Sequence, residues 1–473
     1  MAFVLEIATL LASHDKASVA LLGETVADAL QNVIRDASNV QPLLLSRTIF
    51  YLFHLINASQ GLQDQSIVKT PVVLHAISGF EQPILEHVAE ATLRGLALCT
   101  RDRSQLRKEI LNTPDFWLIL KNFHTLPRAS SAVFDILEDV VASKSVAVTS
   151  DNYVATISIL DNFATAASIG AAAEQQGSKK IAPQSRERRG QRQSESNVPK
   201  PPSAQDKDIV LRGYRAVILI SKLIEKVPEL IKNSHLDHKE AWMTYWTPIF
   251  QKLQVQCQNP CRKIRRQACS SLQNALLSPE LMPSTNEEWA IIFQTVLFGL
   301  IQRLLKPEIY QLDPAGMNET RLQAANLLCR TFLHHLPTLA QRDDLLDLWL
   351  KILDVMDRLK NSGQGDNLEE AVPEGLKNIL LVMAGSEVLT PPEKGQEPSI
   401  LWVETQKRVD RFLPGLMDEL FSRELPQDEQ PARPPSKPET EGVRANDIQG
   451  STEQRNEEMG QPPSVEVSRD DVD

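Results

Sequence analysis

WMTYWTPIFQKLQVQCQNPCRKIRRQACSSLQNALL, Trp242–Leu277, decides the fold of this chain. Two amphipathic helical patterns meet there at Asn259-Pro260, a dipeptide that favours a tight turn. Asn259, Ile264, Arg265, Ala268 and Leu272 form an ordered set: turn residue, apolar, arginine, small, apolar. Pro260 suits the first turn of the second helix, where its missing N–H costs nothing. Ala268 is small where a partner helix must come close. Arg265 is expected to bond the turn of a neighbouring hairpin. One such hairpin cannot bury its own apolar face, so it implies stacked neighbours.

The same spacing returns further on. Arg321, Ala324 and Leu328 stand to one another as Arg265, Ala268 and Leu272 do. The pattern is that of a HEAT-type helical repeat. Outward from it, apolar residues recur at three- and four-residue intervals over most of the chain. Leu44, Leu45, Ile49, Leu52, Phe53 and Ile56 make one stripe, and Ile84, Leu85, Val88, Ala91, Leu96 and Cys99 another. The spacing predicts further helices near 15–37, 66–79, 103–111, 114–125, 129–146 and 150–170. Asn286 with Glu288, and Asn318 ahead of Arg321, read as helix-start residues. The expected fold is all-α, an α-solenoid of armadillo/HEAT-like helix hairpins in two blocks, 1–173 and 207–423. Between them, 174–206 is polar, basic around Arg186, Arg188, Arg189 and Arg192, and closed by Pro199, Pro201 and Pro202. It reads as a disordered linker, and 424–473, rich in Pro, Glu, Asp and Gln, as a disordered acidic tail.

Composition agrees with this reading. The chain has 473 residues, too many for one small core, and 42% of them are hydrophobic but only 5% aromatic. Leu, Ile, Val and Ala therefore carry the apolar load, with no βαβ alternation. A formal net charge of −11 argues against a general nucleic-acid binder. Five scattered cysteines read as reduced core residues of a cytosolic protein. The opening MAFVLEIATLLASHDK has no basic n-region and reads as a first helix. No stretch of about 18 charge-free apolar residues is seen, so no transmembrane segment is expected.

Residues able to do chemistry are few. Cys257 and Cys261 are spaced CxxxC without the second pair a closed zinc site requires. His235 and His238 lie in a polar connection, and His334 and His335 are adjacent, so each pair reads as structural. Neither GxxxxGK[ST], GxGxxG nor GxSxG occurs. No catalytic residue, cofactor or metal is expected. The basic run Arg262, Lys263 and Arg266 is the candidate contact for anionic lipid or an acidic partner protein.

The second block resembles a known family. WTPIFQKL, CRKIRRQACSSLQNALL, VLFGLIQRLL, GMNETRLQAANLLCRTFLHHL, LWLKILDVMDRL, AVPEGLKNILLVM and LWVETQKRVDRFLPGLMDELF follow, in order, the C-terminal region of the Golgi-specific brefeldin A-resistance family of large Arf guanine-nucleotide exchange factors. The helices of 1–170 are similar to the homology region before it. No stretch matches the family's catalytic exchange domain. The resemblance implies a non-catalytic scaffold or regulatory region, cytoplasmic and peripheral on Golgi membranes, working with Arf or Rab GTPases in transport between endoplasmic reticulum and Golgi. A generic HEAT/armadillo adaptor for protein partners in nuclear or vesicular transport shares the helical pattern but not these ordered anchors.

Overall fold

The computed structural model describes residues 2–60, 69–101, 105–142, 147–174, 203–362, 367–392 and 397–421. Most of the expected linker and the whole of the expected tail lie outside them, as do Arg186, Arg188, Arg189 and Arg192. Among the described residues there are helices and turns and no strand, as the all-α reading requires.

Among the described residues the first nine α-helices are α1 Ala2–Ala12, α2 Lys16–Arg35, α3 Pro42–Ala58, α4 Thr70–Ser78, α5 Gln82–Thr100, α6 Gln105–Asn112, α7 Pro114–Phe123, α8 Ser130–Ala142 and α9 Tyr153–Ala166. Their starts follow local chemistry. Asp15 caps α2 by accepting from the Ser18 N–H at 2.7 Å, and proline occupies the first turn of α3, α4, α5 and α7. Each helix buries one stripe against its neighbours. α2 buries Val19, Gly23, Ala27, Leu30 and Ile34, and α3 buries Leu45, Ile49, Leu52, Phe53 and Ile56. Burying one such side chain contributes about 1.5–3 kcal/mol. At Gly95 in α5 an added Cβ would sit 2.4 Å from the Phe53 ring, so the α3–α5 approach depends on the missing side chain.

The second series begins at Ala204, a little before the boundary read from composition. Ser203 and Asp206 form a reciprocal capping box that starts α10, Ala204–Ile224. Next come α11 Val227–Asn233, α12 Thr247–Gln256, α13 Arg262–Leu276, α14 Asn286–Ala290, α15 Gly299–Leu304, α16 Pro307–Leu312, α17 Pro314–Leu339, α18 Leu345–Lys360, α19 Leu368–Gly385, α20 Ile400–Phe412 and α21 Leu416–Phe421. α10 packs against both α9 and α13, so the two series share one buried seam. Gly213 in α10 marks a close approach: an added Cβ would lie 2.4 Å from the Ala167 Cβ and 2.8 Å from the Phe163 carbonyl oxygen.

Two helices depart from the simple pattern. Trp242–Trp246 before α12, and Ile291–Phe298 between α14 and α15, are π-helical. The wider turn frees carbonyls from regular pairing. The buried Gln254 amide answers two of them, donating to the Thr295 and Val296 carbonyls at 2.7 and 3.0 Å. α14 starts at the place its sequence suggests, but the cap is Thr285, one residue before the expected Asn286, with Glu288 completing the box. α17 does not. Its cap is Asp313, followed by Pro314 in the first turn, and Asn318 lies inside the helix. The expected start at Asn318 is thus corrected by one turn.

Tyr153–Glu174 is long and apolar enough to cross a membrane by length and composition, but half of that window is buried within the protein. It contains Asp161, which accepts from Lys252 at 2.9 Å and from Gln256 at 2.7 Å. A carboxylate tied into protein contacts marks a core helix.

Candidate functional site

The hairpin α12–α13 is the best-connected polar region. Its turn is built by Asn259, 5% exposed. The Asn259 Oδ1 accepts from the Cys261 N–H at 2.9 Å, an Asx-type turn. Its Nδ2 donates to the Ala164 carbonyl at 3.0 Å and to Gln256 Oε1 at 2.8 Å. One side chain therefore shapes the turn and pins it to α9. Pro260 sits in the turn itself, two residues before α13 begins, and not in the helix's first turn. From α13, Ile264, Ala268 and Leu272 are fully buried, on the inward face expected of them.

Arg265 is also fully buried. Its Nη1 donates to the Asn259 and Pro260 carbonyls, both at 2.8 Å, and its Nε to Thr320 Oγ1 at 3.1 Å. Its Nη2 donates to Asp313 Oδ2 at 2.5 Å. Arg265 thus satisfies its own turn and also the cap of α17 in the next hairpin. Arg262 meets the same carboxylate bidentately, at 2.7 and 2.6 Å. Gly316 makes the cluster possible, since an added Cβ would fall 2.1 Å from Asp313 Oδ2 and 2.5 Å from Arg265 Nη2.

Burial pushes the Asp313 carboxyl up, but hydrogen bonds from Arg262 and Arg265 outweigh it and hold it at about 2, against an ordinary 3.8. A lowered carboxyl contributes stability that is complete above the unfolded value and is lost as pH falls through the folded one. About 2 kcal/mol should therefore disappear between pH 3.8 and about 2. Acid titration of unfolding free energy, compared with Asp313→Asn, checks this; equal pH slopes for both proteins in that window would refute it.

The basic run does not present three unattached charges. Arg262 is bound to Asp313, and Arg266 forms a bidentate pair with Glu319 at 2.7 and 2.5 Å. The Lys263 amine lies over the Tyr214 ring, 4.6 Å from its centroid. Ahead of them, Glu174 accepts from the Arg262 N–H at 2.6 Å and the Lys263 N–H at 3.2 Å. It supplies the negative charge that a helix start favours.

Arg321 repeats the role of Arg265 in part. It is 1% exposed, donates to the Leu304 carbonyl at 3.0 Å and covers the Tyr310 ring at 4.7 Å. Ala324 and Leu328 are buried beside it. His335 is buried, its Nε2 3.0 Å from the Leu276 carbonyl, while His334 is exposed. His238 lies 3.0 Å from the buried Glu288 carboxylate. All five cysteines are buried. Burial pushes the thiols of Cys99 and Cys329 up to about 12 and that of Cys261 to about 11, which keeps them protonated. Among the described residues no three His, Cys, Asp or Glu groups are placed to hold a metal.

The residues that sequence reasoning missed are Asp313, Gly316, Glu174 and Asp161. Only Asp313 carried a local signal, an Asp-Pro pair ahead of a helical pattern.

Residues 246–416 match the family described as GBF1-like, tetratrico peptide repeat region. The chain is 35% identical over 178 residues to the Golgi-specific brefeldin A-resistance guanine nucleotide exchange factor 1 homolog of Caenorhabditis elegans, covering 37% of this chain and 9% of that protein. It is 34% identical over 203 residues to the ARF guanine-nucleotide exchange factor GNOM of Arabidopsis thaliana, covering 41% and 14%. The Arabidopsis ARF guanine-nucleotide exchange factor GNL1 is 26% identical over 210 residues, covering 43% and 14%. The chain thus matches only a small part of each relative's length. Over the hairpins that carry the Arg265 cluster and its Arg321 echo, this chain resembles the GBF1-like repeat region of the large Arf guanine-nucleotide exchange factors.

Proposed function

We propose that this chain is a non-catalytic scaffold region of a large Arf guanine-nucleotide exchange factor. It acts at the cytoplasmic face of Golgi membranes, as a peripheral protein, and serves recruitment and regulation of Arf signalling in transport between endoplasmic reticulum and Golgi. The observation that carries this reading is the match of residues 246–416 to the GBF1-like repeat region. The geometry supports it in one respect. The polar groups of the Arg265 cluster face one another across a hairpin-to-hairpin seam, and that arrangement sets the pitch of a stack rather than a reacting centre.

Arf or Rab GTPases and the membrane surface are the proposed partners. Arg262 and Arg266 are committed to Asp313 and Glu319. Membrane contact through this run therefore falls chiefly to Lys263, whose attraction to an anionic surface is worth about 1 kcal/mol. Added to Arf loaded with fluorescent GDP, the purified chain should leave nucleotide release at the spontaneous rate. It should also colocalise with Golgi membranes when expressed in cells. Accelerated release, or a uniform cytosolic distribution, would overturn the reading.

A further inference from the structure

α1 turns its larger side chains outward. It packs against α2 and α3, and the side it gives them is modest: Leu5 and Ala8 are half-buried, Thr9 and Ala12 buried. The Thr9 hydroxyl donates to the Leu5 carbonyl at 2.7 Å, within its own helix. The opposite side carries Phe3, Val4, Ile7, Leu10 and Leu11, each between 40% and 71% exposed. A helical stack that ends in water ends on a polar face. An apolar stripe at three- and four-residue spacing is instead the seam of a helix pair.

The spacing also says which helix fits. The five residues are symmetric about Ile7: Val4 and Leu10 lie three residues to either side, Phe3 and Leu11 four. A stripe with that symmetry is its own complement when a copy is laid across it antiparallel. Glu6 is the one charge on α1 and faces Arg47 of α3 at 3.9 Å, so no like charges confront each other in such a pair. At the observed exposures the stripe offers roughly 500 Å² per copy, and about 1,000 Å² in a pair is the size at which an interface becomes specific. A lipid surface fits less well, because helices that lie in a bilayer surface carry Lys or Arg on their polar side and α1 has neither.

We propose that the outward face of α1 binds a second copy of this chain. The two α1 helices cross antiparallel on a two-fold axis at Ile7. Phe3 then meets Leu11 of the second copy, and Val4 meets its Leu10. An interface of this size at the lower edge of specificity gives a concentration-dependent dimer, half-formed at micromolar protein. The pairing stands apart from the scaffold reading, which nucleotide release and distribution in cells test.

Light scattering on the full chain, from about one to fifty micromolar, measures the assembly. Wild type should approach twice the 52.9 kDa of one chain. Ile7→Glu sets two carboxylates against each other at the axis and should weaken pairing at least about a hundredfold. Phe3→Glu alone and Leu11→Lys alone should also weaken it. The double variant should regain much of the loss, because each glutamate then faces a lysine of the other copy. Ile7→Cys should give a disulfide-linked dimer on mild oxidation. Phe3→Cys should not, since the two positions 3 would stand about 12 Å apart along the axis. The native cysteines are buried and leave this readout clear. Unchanged melting temperatures keep each loss on pairing and away from folding, and the charge-pair rescue decides the matter if Ile7→Glu melts early. A wild type monomeric throughout the range, assemblies larger than a dimer, a dimer indifferent to Ile7→Glu, or a monomer that floats with phosphatidylcholine vesicles through α1 would each overturn the proposal.

Discussion

Arg265→Met should cost about 3–5 kcal/mol of folding stability, read as a fall in the denaturant midpoint with little change in slope. The volume is roughly kept, so the loss is electrical and not a cavity effect. Removing the guanidinium leaves the carbonyls of Asn259 and Pro260 without their donor, strips one of two cations from Asp313 and releases Thr320. All of these groups lie where water reaches poorly. Arg265→Lys keeps the charge but not the fork, so it should recover only part of the loss. Glu319→Gln gives the calibration. Its partner Arg266 is 56% exposed, and breaking that pair should cost no more than about 1 kcal/mol despite equally short bonds. A double variant, Arg265→Met with Asp313→Asn, should fall short of the sum of its parts, because both changes disable one network. Additive losses, or an Arg265→Met midpoint near wild type, would show that the cluster does not couple the hairpins.

Gly213→Leu should break the cooperativity of unfolding between the two helical series. Alanine already places a carbon 2.4 Å from the Ala167 Cβ and 2.8 Å from a backbone carbonyl. Neither obstacle is a flexible side-chain end, so α9 and α10 must move apart. Overpacking of this sort costs about 1–3 kcal/mol for small insertions, and leucine exceeds that case. The polar ties across the same seam would loosen with it, including Asn259 to Ala164, Gln256 to Asp161 and the Tyr153 hydroxyl to the Tyr245 carbonyl at 2.8 Å. Wild type should melt in one calorimetric transition and Gly213→Leu in two, each helical series giving its own. A single unshifted transition in the variant would mean that the seam carries little of the stability.

Helix positions and inward faces were legible because both depend on near neighbours. Ile264, Ala268 and Leu272 repeat every three to four residues, and that spacing places them on one side of α13 whatever lies opposite. The arginine–small–leucine spacing exposed the repeat for the same reason: it recurs within a single helix. The turn at Asn259 was visible too, since an asparagine can shape a turn through its own backbone. Even there the local rule put Pro260 in the helix's first turn, two residues too far along, and it offered Asn318 as a start where Asp313-Pro314 prevailed.

Tertiary structure alone decided what the charges do. CRKIRRQ reads as a basic surface patch because its own neighbours hold no acid. The carboxylates that absorb Arg262, Arg265 and Arg266 stand 48 to 53 residues further along. They arrive there only when α17 stacks on α13. Periodicity says which face of a helix is oily and says nothing about which distant helix covers it. Gly213 and Gly316 remained ordinary glycines for the same reason. Their importance is a distance to atoms of another helix or of an ion cluster assembled across hairpins, and such distances exist only after the repeats have closed on one another.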